Sequence, residues 1–136
     1  MKSAFPTLAL LAALPLAAPR LDAHHSFKAQ YDENKTVALQ GTITKVEWMN
    51  PHARFWIDVK DANGKVSSWE VELGSPNGIM RGGFSRSLLK QGDPITVEGW
   101  PARETANLAA AGTLTLVSGQ VLKSDPHWGP MEGMQQ

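Results

Sequence analysis

From residue 36 onward the chain alternates apolar and polar positions with a period of two. Val37, Leu39, Gly41 and Ile43 fall on one face, and Thr42 and Thr44 on the other. The phase then slips, because Val46 and Trp48 continue the apolar set on the opposite parity. A slip inside one strand predicts a β-bulge near Thr44-Lys45, and Gly41 lets the same strand bend. Asn50-Pro51-His52 reads as a turn. A second strand follows, with Phe55, Ile57 and Val59 on one face and Trp56 and Asp58 on the other. Asp61-Ala62-Asn63-Gly64 predicts a hairpin turn in which Asn-Gly supplies positive φ angles. A third strand is expected over residues 66–73, where Trp69, Val71 and Leu73 alternate with Glu70 and Glu72.

The period then changes. Ser75-Pro76 reads as a helix N-cap and first helical residue, Gly82-Gly83 interrupts, and residues 85–91 predict a short helical turn stopped by Gly92. Pro94 opens a fourth strand in which Ile95, Val97 and Gly99 alternate with Thr96, Glu98 and Trp100. The Ala-rich residues 103–112 are expected to be a loop, and residues 113–123 a last strand that a turn at Ser118-Gly119 can split. Three strands, a helical connection and two strands is the order of a mainly β, five-stranded OB-like Greek-key barrel, the helix plugging the end between strands three and four. An antiparallel sandwich is the alternative; the phase slip in the first strand favours the barrel. Its expected core is Val37, Leu39, Ile43, Phe55, Ile57, Val71, Ile95, Val97, Leu114 and Leu116.

The ends of the chain look different. Lys2, an apolar stretch over residues 4–18 and the small Ala23 form a secretory signal pattern, so residues 1–23 are expected to be removed and the protein exported to the periplasm or beyond. The apolar stretch is short and broken by Pro6 and Pro15, so no stable membrane span is expected after processing. Cleavage after Ala18 is the competing site, disfavoured by Pro19. Residues 24–123 then form one barrel domain behind a polar arm, and residues 124–136, with two prolines, two glycines and two methionines, read as a flexible tail. The processed chain carries a net charge of about −1, without the basic excess that nucleic-acid binding requires, so no nucleic acid is expected among its partners. Cysteine is absent, which excludes disulfides, thiolate metal sites and cysteine nucleophiles.

Several of these segments occur together in one known family. His24-His25-Ser26-Phe27, Gly41-Thr42-Ile43-Thr44-Lys45-Val46-Glu47-Trp48, Asn50-Pro51-His52, Trp69 with Glu72, Leu88-Leu89-Lys90-Gln91-Gly92-Asp93 and Val97-Glu98-Gly99 resemble the signature of a family of small exported bacterial proteins, domain of unknown function 6152. The resemblance extends over residues 24–123 and implies export. It brings no mechanism.

Chemistry must therefore be sought in the side chains. Cleavage after Ala23 makes His24 the first residue, and an α-amine with an imidazole on one residue chelates a transition metal. His52, in the loop between strands one and two at the expected barrel mouth, is the natural third nitrogen ligand, with His25 adjacent to the chelate. Copper heads the affinity order for such a site. The plainer reading makes His52 a turn-capping side chain and His24-His25 a solvated terminus. His127, Met131 and Met134 form a weaker His/Met group in the tail. Trp56 and Trp100 lie opposite the apolar faces of their strands and are candidates for docking a small ligand or an exported partner protein; packing beneath the terminal arm is the other reading. Glu70 and Glu72 read as the solvated face of a half-buried strand. No catalytic triad spacing, phosphate loop or HExxH motif is present, so a binding protein is expected rather than an enzyme. The two principal readings are a copper-binding periplasmic protein and a metal-free interaction module.

Overall fold

The first long strand organises the rest. In the computed structural model, which describes residues 27–124, β1 (Val37–Glu47) pairs antiparallel with two neighbours. Its second half pairs with β2 (Arg54–Lys60) and its first half with β4 (Pro94–Pro101). Gly41 sits where both pairings overlap, opposite Val59 on one side and Ile95 on the other. A Cβ there would lie 2.5 Å from the Asp58 carbonyl oxygen, so β1 approaches β2 this closely only with glycine. The expected bulge is present, as a register shift between Ile43 and Lys45.

β2 returns to β3 (Val66–Glu72) through a turn in which the Asp61 carboxylate accepts from the backbone N–H groups of Asn63 and Lys65, both at 2.9 Å. Only Gly64, at φ 82°, takes the positive φ there; Asn63 does not, because the turn is one residue longer than a two-residue Asn-Gly hairpin. Helix α2 (Pro76–Arg81) begins as the sequence predicts, with Ser75 Oγ accepting from the Gly78 N–H. A single 3₁₀ turn (Arg86–Leu88) follows. Ile79, Phe84 and Leu89 from this connection are buried against the barrel interior and plug one end of it.

Closure is made by β5 (Leu108–Leu116), antiparallel to β4 and parallel to β3 over Glu70–Leu108, Val71–Ala109 and Glu72–Ala110. The strand order β3-β2-β1-β4-β5, closed by the β3–β5 pairing, is an OB-like five-stranded barrel. The loop expected over residues 103–112 is correspondingly shorter. Ala109, Ala110 and Ala111 are buried strand residues, despite alanine's poor strand propensity, because β4 approaches them closely. A Cβ on Gly99 would fall 1.9 Å from the Ala110 carbonyl oxygen. The final strand does split at Ser118-Gly119, leaving a sixth short strand, β6 (Val121–Lys123), on the edge of β5.

Eight of the ten expected core residues are buried. Val37 and Leu116 are half-buried and packed against them. The arm before β1 is not simply polar. Its single helical turn α1 (Phe27–Gln30) and Tyr31 carry two buried aromatic rings onto the outside of the barrel, over Ala110 and beside Trp100. Arg103 clamps this arm, its N–H donating to the Gln30 carbonyl and its Nε–H to the Lys28 carbonyl, both at 2.9 Å.

Candidate functional site

Glu72 stands at the end of β3 with strand neighbours on both sides, Arg54 on β2 and Ala110 on β5. Its side chain is only 3% exposed, and burying a carboxylate is costly unless it is well partnered. The partners come from two separate stretches of chain. The Tyr31 hydroxyl, from the arm, donates to Oε2 in a short hydrogen bond. His52 Nδ1 lies 2.6 Å from Oε1. Arg54 brings Nη2 to 3.7 Å from Oε1 while its Nη1 pairs with Glu70 at 3.0 Å. Gln30 Nε2 adds a longer donor, 3.5 Å from Oε2 and 3.2 Å from the Tyr31 hydroxyl.

Each partner is fixed by its own element. His52 follows a cis Asn50-Pro51 bond, and the next residue, Ala53, is tied to the strand end by hydrogen bonds to Gly74 and Leu73. Tyr31 bridges to Ala102, its N–H donates to the Phe27 carbonyl, and its ring stacks on Phe27 at 5.1 Å. Phe27 in turn meets Trp100 edge-on at 5.6 Å. Burial, then the hydrogen bond and charge of Glu72, push the Tyr31 hydroxyl well above the usual tyrosine range, so it stays a proton donor. A carboxylate only accepts, so Nδ1 is the ring nitrogen that donates to Glu72, and in a neutral ring the lone pair then lies on Nε2. A carboxylate behind a histidine in this way orients the ring and raises its basicity toward a metal.

Of the residues singled out from sequence, His52 is therefore in a built polar site. His24, His25, His127, Met131 and Met134 lie outside the described residues. Among the described residues no group of three or more His, Asp or Glu side chains is arranged to hold a metal ion. Trp56 is half-buried beneath Lys45, whose Nζ is 4.5 Å from the ring centre, and Trp100 is half-buried beside the arm; the two stand on strands separated by β1. Glu70 pairs with Arg54 at the surface, as a solvated face would. Glu72, read as part of that same face, is instead the buried centre of the site, because the β3–β5 closure and the arm cover it. The signals that could have found it are Tyr31, the one tyrosine of the chain, and Glu72 itself, set between the core residues Val71 and Leu73 at a strand end.

A family model matches residues 12–111. The chain belongs to that family of unknown function (DUF6152). The matched span includes the arm, the His52 loop, Glu72 and nearly all of the barrel, so the DUF6152 family shares the region in which the site is built. No curated protein matches the chain. Among solved structures it is similar to the mitochondrial single-stranded DNA binding protein Rim1 from S. cerevisiae, at 12% identity over 67% of this chain and 96% of that one, TM-score 0.46. It is also similar to the N-terminal domain of PriB from Thermoanaerobacter tencongensis, at 20% identity over 62% and 98%, TM-score 0.47. A third is the ZRD-deleted mutant of TiaS in complex with agmatine, at 18% identity over 71% of this chain and 28% of that longer one, TM-score 0.47.

Proposed function

We propose that this DUF6152 protein is an exported, periplasmic binding protein that takes copper through the amine and ring of a processed His24 and the Nε2 atom of His52. The observation that carries this reading is the shared carboxylate. Glu72 accepts from His52 on one oxygen and from Tyr31 on the other, so the arm that leads back to His24 is tied to the same group that orients the His52 ring. Phe27 is three residues from His24, a span of roughly 10 Å when extended, so the processed terminus can reach the same end of the barrel. Three nitrogen donors in an exported protein without cysteine suit Cu(II) ahead of Zn(II). Ligands must lose protons to bind, so affinity falls as pH drops through the imidazole and α-amine range, about 6.5 to 8.

The test is a copper titration of protein purified from the periplasm, with its mass first measured to establish which residue is terminal. Placing one Met ahead of His24 keeps every side chain but moves the amine out of chelate position, and is expected to weaken Cu(II) binding strongly. His52→Ala weakens it as well, whereas His127→Ala leaves it nearly unchanged. Equal affinity in the Met-extended and native proteins would refute the chelate. The alternative function, docking of an exported partner or small ligand through Trp56 and Trp100, has less support, since Phe27 packs against one ring and Lys45 covers the other.

A further inference from the structure

The outer face of β1, β4 and β5 carries an open groove of about 340 Å³, lined by Val37, Ala38, Glu98, Trp100, Gly112 and Thr113. Gly112 is the extra residue where the β4–β5 register shifts. A Cβ on it would lie 2.8 Å from the Trp100 ring, so it faces outward, into the groove. The last described residue ends at the same place. β6 runs antiparallel along β5, and the Ser124 N–H donates to the Gly112 carbonyl at 2.9 Å.

Beyond Ser124 that edge of β5 is already taken. Ala110, the next β5 position in line, is already paired with Glu72 of β3. Pro126 has no N–H with which to extend a ladder. The barrel interior is filled, with Ala111, Leu114 and Leu122 buried beside the exit. The exit point is itself covered: Ser124 is 3% exposed, and its hydroxyl has no hydrogen-bond partner among the described residues.

We infer that the groove is the docking site for the protein's own C-terminal segment, residues 125–136, with Trp128 packing against the Gly112–Trp100 surface. The reach is ample. Twelve extended residues span roughly 40 Å, whereas the groove crosses three strands spaced about 4.8 Å apart. The chemistry matches also. The groove floor is mostly apolar and is bent by a glycine bulge, and Pro126, Trp128, Pro130 and Met131 form an apolar run only two to seven residues past Ser124. Such a tail lies near the N-terminal arm, whose Phe27 meets Trp100 edge-on. The flexible tail suggested by composition becomes a strap on the outer sheet.

The absence of cysteine gives a direct test in the full chain. A nitroxide on Gly133→Cys, the protein's one thiol, is expected to remove most of the amide NMR intensity of Ala38, Gly99 and Thr113 while sparing Gly64 and Ser68 on the far hairpin. Adding Trp128→Ala to the labelled protein restores those signals, and circular dichroism checks that the barrel is intact. Broadening confined to residues 121–124, or spread evenly over the surface, would overturn the docking. So would broadening that survives Trp128→Ala. Labelled protein without ¹⁵N, mixed with unlabelled ¹⁵N protein, separates the remaining occupant: broadening of the groove amides in that mixture would mean that a second copy's tail fills it, and the intramolecular strap would be wrong.

Discussion

Tyr31→Phe isolates one oxygen atom at the centre of the site. The ring is fully buried and stacks on Phe27, so phenylalanine fills the same space and keeps the apolar contacts with Ala110. What is lost is the hydrogen bond to Glu72 Oε2, leaving that oxygen, among the described residues, with the distant Gln30 donor at 3.5 Å. A hydrogen bond to a charged acceptor contributes about 1.5–3 kcal/mol, and an under-satisfied buried acceptor lies toward the upper end. For a domain of this size the expected fall in Tm is roughly 6–15 °C. Urea unfolding followed by tryptophan fluorescence measures it. The pH dependence supplies a second signature. The native hydroxyl holds its proton above the usual tyrosine value of 10.0, so its stabilisation is complete below about pH 10 and is lost as pH rises from there toward the raised native value. The gap between wild type and Tyr31→Phe should therefore be constant near neutrality and narrow above about pH 10. A loss under about 0.5 kcal/mol, or a gap that does not narrow, would refute the claim that Glu72 depends on Tyr31.

Gly99→Ala places a methyl 1.9 Å from the Ala110 carbonyl oxygen; forcing β4 away from β5 is expected to cost at least about 1–3 kcal/mol by chemical unfolding, and a neutral variant would mean that the closure is looser than described. Val97→Ala removes two methyls from a fully buried site and should cost about 1–3 kcal/mol with little change in the denaturant slope. With no basic excess, binding to single-stranded DNA at physiological salt should be no tighter than the non-specific range of about 10⁻⁴–10⁻⁶ M; tight, salt-sensitive binding in an anisotropy assay would overturn that expectation.

The barrel was legible in the sequence wherever alternation had one buried face. The Ile43–Val46 phase slip located the bulge, Ser75-Pro76 located the helix start, and the parity of β2 and β4 located most of the core. Residues 108–112 were not legible, because a strand made of Leu, three Ala and Gly has no alternating volume. Its smallness answers the neighbouring backbone of Gly99, which periodicity cannot reveal. The site was half legible. His52 stood out by residue type and loop position. Glu72 alternates like its half-buried neighbour Glu70, and only the parallel pairing with β5 and the arrival of Tyr31 from forty-one residues away bury it. Cover supplied by chain-distant segments leaves no trace in a local pattern.

The parallel closure of β3 on β5 also bears on the order of folding. The β2–β3 hairpin and its turn can form early, as local pairings do. The contacts with Tyr31 and Ala110 cannot, because each requires a long loop to close before any contact repays the entropy. A half-folded chain presents an exposed carboxylate, and the buried, fully partnered Glu72 appears only with the last step of assembly. Whatever binds this cluster thus distinguishes finished molecules from unfinished ones. The binding free energy of any such ligand would add to native stability by mass action and be unavailable to intermediates, so the rate at which it is captured would report barrel closure itself.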